Sequence, residues 1–103
     1  MSMNECIAAC QECLVDCHRC LHEMAGEDSP NQCPDCCAEC AAICELCVTL
    51  MAHGSDFAAE ACALCAKACG WCAEQCGAHD HEHCKKCAES CRKCAETCRK
   101  MAA

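Results

Sequence analysis

Aromatic side chains are nearly absent: the chain has one Phe (Phe57), one Trp (Trp71) and no Tyr. A core built mainly on ring packing is therefore excluded. No run approaches the roughly 18 apolar residues of a membrane-spanning helix, so no membrane partner is expected. Positive charge is scarce as well, with eight Lys and Arg against sixteen Asp and Glu and a net charge of −8. That balance argues against nucleic acid, whose binders need a basic field to neutralise phosphates. The start, Met1-Ser2-Met3-Asn4-Glu5-Cys6, shows no basic stretch, apolar segment or twin arginine of an export signal, and a cytoplasmic address is expected.

What is abundant is cysteine, 21 of 103 residues. Cys6, Cys10, Cys13, Cys17 and Cys20 advance in steps of four, three, four and three. At about 3.6 residues per turn these steps put all five thiols on one helical face, where Leu or Ile would normally enter a core. A free thiol packs as a small hydrophobe but buries less area than Leu. Helix propensity and metal binding are therefore expected to share the stabilisation. In a reducing compartment, an odd Cys total at rigid helical spacing fits disulfides poorly.

Punctuation divides residues 1–103, read as a single domain, into four stretches. Ser2 with Glu5 reads as a capping box for the first helix, and Gly26 to Asn31 as the loop that follows it. Pro34 suits the first turn of a second helix, which His53-Gly54 should end. Ser55 or Asp56 is expected to cap the third helix, Gly77 to stop it, and Asp80 to cap the fourth. The expectation is an all-α fold, an antiparallel up-down-up-down four-helix bundle with a Cys-lined core, its helices at about 3–25, 33–52, 56–76 and 81–101.

The same rhythm runs through Cys33, Cys37, Cys40, Cys44 and Cys47, then Cys62, Cys65, Cys69, Cys72 and Cys76, then Cys84, Cys87, Cys91, Cys94 and Cys98. Only Cys36 falls out of register. Antiparallel packing would stack the thiols in five layers: Cys6/Cys47/Cys62/Cys98, Cys10/Cys44/Cys65/Cys94, Cys13/Cys40/Cys69/Cys91, Cys17/Cys37/Cys72/Cys87 and Cys20/Cys33/Cys76/Cys84. The last segment also repeats every seven residues. It carries Glu82/Lys86, Glu89/Lys93 and Glu96/Lys100 at helical spacing, and six of the eight basic residues (Lys85, Lys86, Arg92, Lys93, Arg99, Lys100). A basic helix beside acidic ones reads as intramolecular complementarity.

One CxxC is weak evidence for a metal, whereas in-phase thiols on four helices are strong evidence. Zinc takes four ligands in a tetrahedron, usually gathered by loops. Copper(I) is soft and content with two or three thiolates, so a thiol-lined tube suits many Cu(I) ions, roughly 10 to 20 if thiolates bridge. Twenty buried thiolates would be prohibitive without cations, so protons must leave as metal enters. All 21 cysteines, Cys36 included, are therefore candidate metal ligands, and zinc or cadmium buffering of metallothionein type is the alternative. Enzymatic thiol–disulfide exchange or electron transfer is not expected, for want of a distinctive reactive Cys or a cluster motif.

The two ends of such a tube differ. One should gather Met24, His22, His79, His81 and His83 with two loops; the other gathers Met3, Leu50, Met51, Phe57 and Met101. His and Met are exchangeable Cu(I) ligands, so Met24, His79, His81 and His83 are candidate mouth ligands, and Met51 and Met101 weaker ones. His18, His22 and His53 read as surface residues. Ile7, Leu14, Leu21, Ile43 and Leu50 should seal grooves between helices, while Phe57, Leu64 and Trp71 point further outward and fit a subunit interface.

Over essentially its whole length the chain resembles the bacterial four-helix-bundle copper storage proteins, in particular their cytosolic branch. The resemblance rests on the CxxxC and CxxC seams, the four-segment length and the absence of an export signal. It implies Cu(I) held in the bundle core, same-helix ligand pairs such as Cys6/Cys10, Cys13/Cys17, Cys40/Cys44, Cys65/Cys69 and Cys94/Cys98, and His and Met near an open end. It also implies a homo-oligomer such as a tetramer. Copper ions are the expected partners, with a copper chaperone or client left open.

Overall fold

The computed structural model describes residues 2–103. Four helices follow in order: α1 (Met3–Met24), α2 (Asp35–Ala52), α3 (Ala58–Gly77) and α4 (Glu82–Ala102). α1 packs on α2 and α4, and α3 on α2 and α4, which gives a four-cornered bundle. It measures 40 × 18 × 17 Å. Cys13 meets Cys40 at 3.9 Å and Cys20 meets Cys33 at 4.0 Å; rising numbers on α1 meet falling numbers on the next segment, so the neighbours run antiparallel. Among the described residues no helix is long and apolar enough to cross a membrane.

Each helix turns its Cys seam inward and flanks it with alanine. Ala9, Ala41, Ala61, Ala66, Ala73, Ala88 and Ala95 are buried beside the thiols. Ala combines the highest helix propensity with the smallest side chain, which lets four backbones close around short Cys side chains. The longer apolar residues Ile7, Leu14, Leu21, Ile43, Leu50 and Trp71 are half-buried against this core, whereas Phe57 and Leu64 stand exposed.

The Ser2 hydroxyl accepts from the Glu5 amide at 3.2 Å, as an N-cap should. At the end of α2, Gly54 takes φ +63. Its amide reaches the Met51 carbonyl at 3.1 Å and that of Ser55 the Leu50 carbonyl at 2.9 Å, the paired bonds of a Schellman stop. The expected caps of α3 and α4 are corrected. Phe57 and His81 occupy the N-cap positions without side-chain capping bonds; before α3 the Ser55 hydroxyl accepts instead from the Phe57 amide at 3.1 Å. α2 starts at Asp35, so Cys33 lies in the turn before it.

Ion pairs also depart from the intrahelical expectation. Lys100 does pair with Glu96 at 3.4 Å, but Lys86 reaches across to Glu12 at 3.3 Å and Asp16 at 3.4 Å, and Lys93 to Glu12 at 3.8 Å. The basic face of α4 thus lies against acids of α1. Asp16 is buried there and accepts from Ser90, a polar tie beside the thiols and alanines.

Candidate metal centre

All 21 cysteines are buried and free. Many of their Sγ atoms have a neighbouring Sγ within 4.0 Å, as Cys44 has Cys94, and Cys40 lies 3.2 Å from Cys69. A metal–sulfur bond of about 2.3 Å separates sulfurs by about 3.8 Å in a tetrahedron and about 4.0 Å in a trigonal plane. Such neighbours stand about as far apart as two sulfurs on one metal ion.

The thiols of the second and third expected layers come together. Cys10, Cys44, Cys65 and Cys94 are linked by contacts of 3.6, 3.8, 3.9 and 4.0 Å, and Cys13 touches Cys40, Cys69 and Cys91 at 3.9, 3.9 and 3.6 Å. The layers interleave, however. Sets of four thiols whose sulfurs all lie within 4.8 Å of one another include Cys10/Cys65/Cys94/Cys98, Cys13/Cys40/Cys44/Cys69, Cys13/Cys17/Cys40/Cys91, Cys17/Cys72/Cys87/Cys91 and Cys20/Cys37/Cys76/Cys87. Each set draws on two adjacent layers, since the rise between i and i+4 lets a sulfur lean toward the next level. Neighbouring sets share members: Cys13, Cys17, Cys40, Cys87 and Cys91 each belong to two of these five. A thiol that belongs to two sets can serve a metal in both only as a bridging thiolate.

Cys36, the residue out of register, is fully buried. Because α2 begins only at Asp35, Cys33 is free of helical register and reaches Cys20 at 4.0 Å and Cys76 at 3.8 Å. Cys36 enters beside it, also 3.8 Å from Cys76. One end of the tube thereby holds an additional thiol.

Three of the six histidines, His79, His81 and His83, gather at that same end. His83 Nδ1 stands 3.5 Å from both Cys20 Sγ and Cys84 Sγ, themselves 3.6 Å apart. This nitrogen and two sulfurs form a three-ligand triangle. His81 stacks on His83 at 5.1 Å, and His79 on His81 at 6.2 Å, so the three rings form a column from the surface to the first thiols. His79 Nε2 donates to Asn31 Oδ1 at 3.0 Å. Asn31 in turn ties the first loop to the Gln75 carbonyl at 2.9 Å. Sequence reasoning missed Asn31 and Ser29 as supports of the column; a Ser-Pro-Asn turn was the available signal. Met24 is buried at this end, Met51 at the other, and Met101 is half-buried.

Electrostatics separate the thiols. Hydrogen bonds with Cys37 and Cys76, helped by His83, hold the Cys20 thiol down at about 6. Burial pushes Cys84 up and Cys33 up to about 11. At the opposite end burial, with Cys98 adding, lifts Cys6 to about 12, and hydrogen bonds with Cys10 and Cys47 hold Cys98 at about 4. Each end thus pairs a readily ionised sulfur with one that keeps its proton. A soft cation replacing the proton relieves the repulsion that otherwise keeps both from ionising.

The copper storage protein family matches residues 1–103. The chain belongs to that family. Apo-Csp3, copper storage protein 3 from Bacillus subtilis, is 43% identical with TM-score 0.93, over 99% of this chain and 100% of that one. The Cu(I)-bound copper storage protein BsCsp3 is 44% identical, TM-score 0.92, over 97% of each chain. The Nmul_A1745 protein from Nitrosospira multiformis is 34% identical, TM-score 0.86, over 97% of this chain and 94% of that one. No curated protein matches the chain.

Proposed function

We propose that this chain stores and sequesters many Cu(I) ions as thiolate complexes along the bundle core, and that it is not an enzyme. The observation that carries this reading is the overlap of thiol sets along the tube. Shared sulfurs allow roughly one cation for every one or two thiolates, which only a low-coordinate soft ion accepts. All 21 cysteines serve as ligands, Cys36 among them. The family match and the Cu(I)-bound relative BsCsp3 support copper over the zinc or cadmium alternative.

His79, His81 and His83, with Met24 behind them, form the mouth, and copper moves inward from the His83/Cys20/Cys84 triangle by thiolate exchange. Met51 and Met101 close the other end. The store works in the cytoplasm, where thiols stay reduced, and assembles as a homo-oligomer, a tetramer being the expected form, through the face bearing Phe57 and Leu64.

Anaerobic titration of reduced protein with Cu(I) against a competing chelator tests the function. Uptake of roughly 10 to 20 ions per chain is expected before the chelator takes copper. Saturation near four ions, or displacement of bound copper by Zn(II), would sink the storage reading.

A further inference from the structure

Asn31 is half-buried where the first loop, the end of α3 and His79 meet. Its Nδ2 donates to the Gln75 backbone carbonyl at 2.9 Å, and its Oδ1 accepts from the Cys33 amide at 3.0 Å and the Ser29 hydroxyl at 3.1 Å. A carbonyl only accepts and a backbone amide only donates, so these partners fix which way the Asn31 side-chain amide faces. The atom 3.0 Å from His79 Nε2 is therefore an oxygen, and Nε2 must carry the proton. A neutral imidazole has one N–H and one lone pair. The lone pair of His79 is then on Nδ1.

We infer that Asn31 is a positioning residue for copper uptake: it holds His79 in the Nε2–H tautomer and so presets Nδ1 as the nitrogen that takes incoming Cu(I). This rests on the reading of the histidine column as the mouth. Metal-binding imidazoles characteristically donate their second nitrogen to an oxygen acceptor, which fixes the tautomer, orients the ring and raises its basicity. Asn31 supplies that acceptor. The innermost ring of the column presents the same atom, since His83 Nδ1 faces Cys20 and Cys84 at 3.5 Å. Through the Cys33 amide the same oxygen also steadies a thiol of the store, Cys33 Sγ lying 4.0 Å from Cys20 and 3.8 Å from Cys76. Asn31 thus serves both the outermost imidazole and the first thiols.

Ring-nitrogen NMR of the reduced apo chain at neutral pH should show His79 as the Nε2–H tautomer alone, and Asn31→Ala should bring in the Nδ1–H form. In anaerobic stopped flow with chelator-buffered Cu(I), Asn31→Ala should slow the first phase of uptake by about tenfold, the low end of the cost of losing a ligand's outer partner, and leave capacity intact. His79→Ala should slow it at least as much. The double variant should be no slower than His79→Ala, because Asn31 acts through that ring. Gln75→Ala removes the bond from the Gln32 amide to Gln75 Oε1 and should change neither tautomer nor rate. The role of Asn31 is overturned by Nδ1–H at His79 in the unaltered chain, by a tautomer indifferent to Asn31→Ala, or by an unchanged rate in Asn31→Ala beside a slowed His79→Ala. Further slowing in the double variant, or equal slowing by Gln75→Ala, would assign the effect to the loop and overturn it too. An unchanged rate in His79→Ala would instead sink the mouth reading, and the inference with it.

Discussion

The two ends of this bundle share one interior and differ at its boundary. Each end is stoppered by a methionine, Met24 at one and Met51 at the other, both almost wholly buried. Each also pairs a cysteine of α1 with one of α4, Cys20 with Cys84 at 3.6 Å and Cys6 with Cys98 at 3.8 Å. What distinguishes them is imidazole held against the thiols, since His53 at the Met51 end stands exposed. A column of three histidines stands over Cys20 and Cys84, whereas half-buried Met101 and exposed Met3 and Phe57 surround the opposite end. On the proposed function, storage capacity follows from the length of the seams, and a direction of loading would follow from a few side chains beyond them.

The largest expected effect comes from the stoppers. Met→Ala in a packed interior costs about 2–5 kcal/mol, so Met24→Ala and Met51→Ala should both lower the stability of the apo bundle by that order in chemical denaturation. Their copper kinetics should diverge. Met24→Ala opens the end with donors and should speed the first phase of Cu(I) uptake in stopped flow; Met51→Ala should leave it unchanged. Equal acceleration in both would mean that copper enters at either end.

Next in size are the boundary ligands. A triple variant, Cys20→Ser/His83→Ala/Cys84→Ser, should slow initial uptake by about 10- to 100-fold, the scale on which shell partners tune metal affinity. The matched Cys6→Ser/Cys98→Ser variant should keep the initial rate and lose only capacity. Reversal of this order would move the mouth to the methionine end.

Much of this contrast was legible from spacing alone. Steps of four and three placed the thiols inward and predicted antiparallel layers, because helical periodicity and short loops leave few alternatives. His18 and His22 were legible as surface residues, and both stand exposed on α1. Two features were not legible. The interleaving of layers depends on which way each short Cys side chain leans, and sequence position does not specify that. Burial of Cys36 depends on Cys33 lying outside α2, a boundary shift of the size that sequence patterns leave open.

Acid should separate the ends by about tenfold. Cys20 is held at about 6 and Cys98 at about 4, both below the ordinary 9.0. A depressed thiol contributes stability above its unfolded value, and loses that contribution as pH falls through its folded value. For Cys20 the contribution is present above pH 9.0 and lost through about 6; for Cys98 the loss comes only through about 4. Thiolate is the ligand form. Initial Cu(I) uptake through the histidine end should therefore fall about tenfold between pH 7 and pH 5, measured with a chelator buffered separately at each pH. Uptake that holds until pH approaches 4 would assign loading to Cys98.

The smallest effect asks whether the loops take part. Gly26 and Gly54 both adopt positive φ, +82 and +63, with open space where a Cβ would stand. Alanine at either therefore costs backbone strain alone, about 1 kcal/mol, seen as a few degrees in the apo melting temperature. Gly26 belongs to the histidine end and Gly54 to the other, yet neither substitution should change copper uptake. The first loop is fixed at Asn31 and Gln32, which bond Gln75 of α3 at 2.9 and 2.8 Å, so strain at Gly26 need not reach His79. If Gly26→Ala alone slowed uptake, the directing element would be the loop itself, with the histidine column subordinate to it.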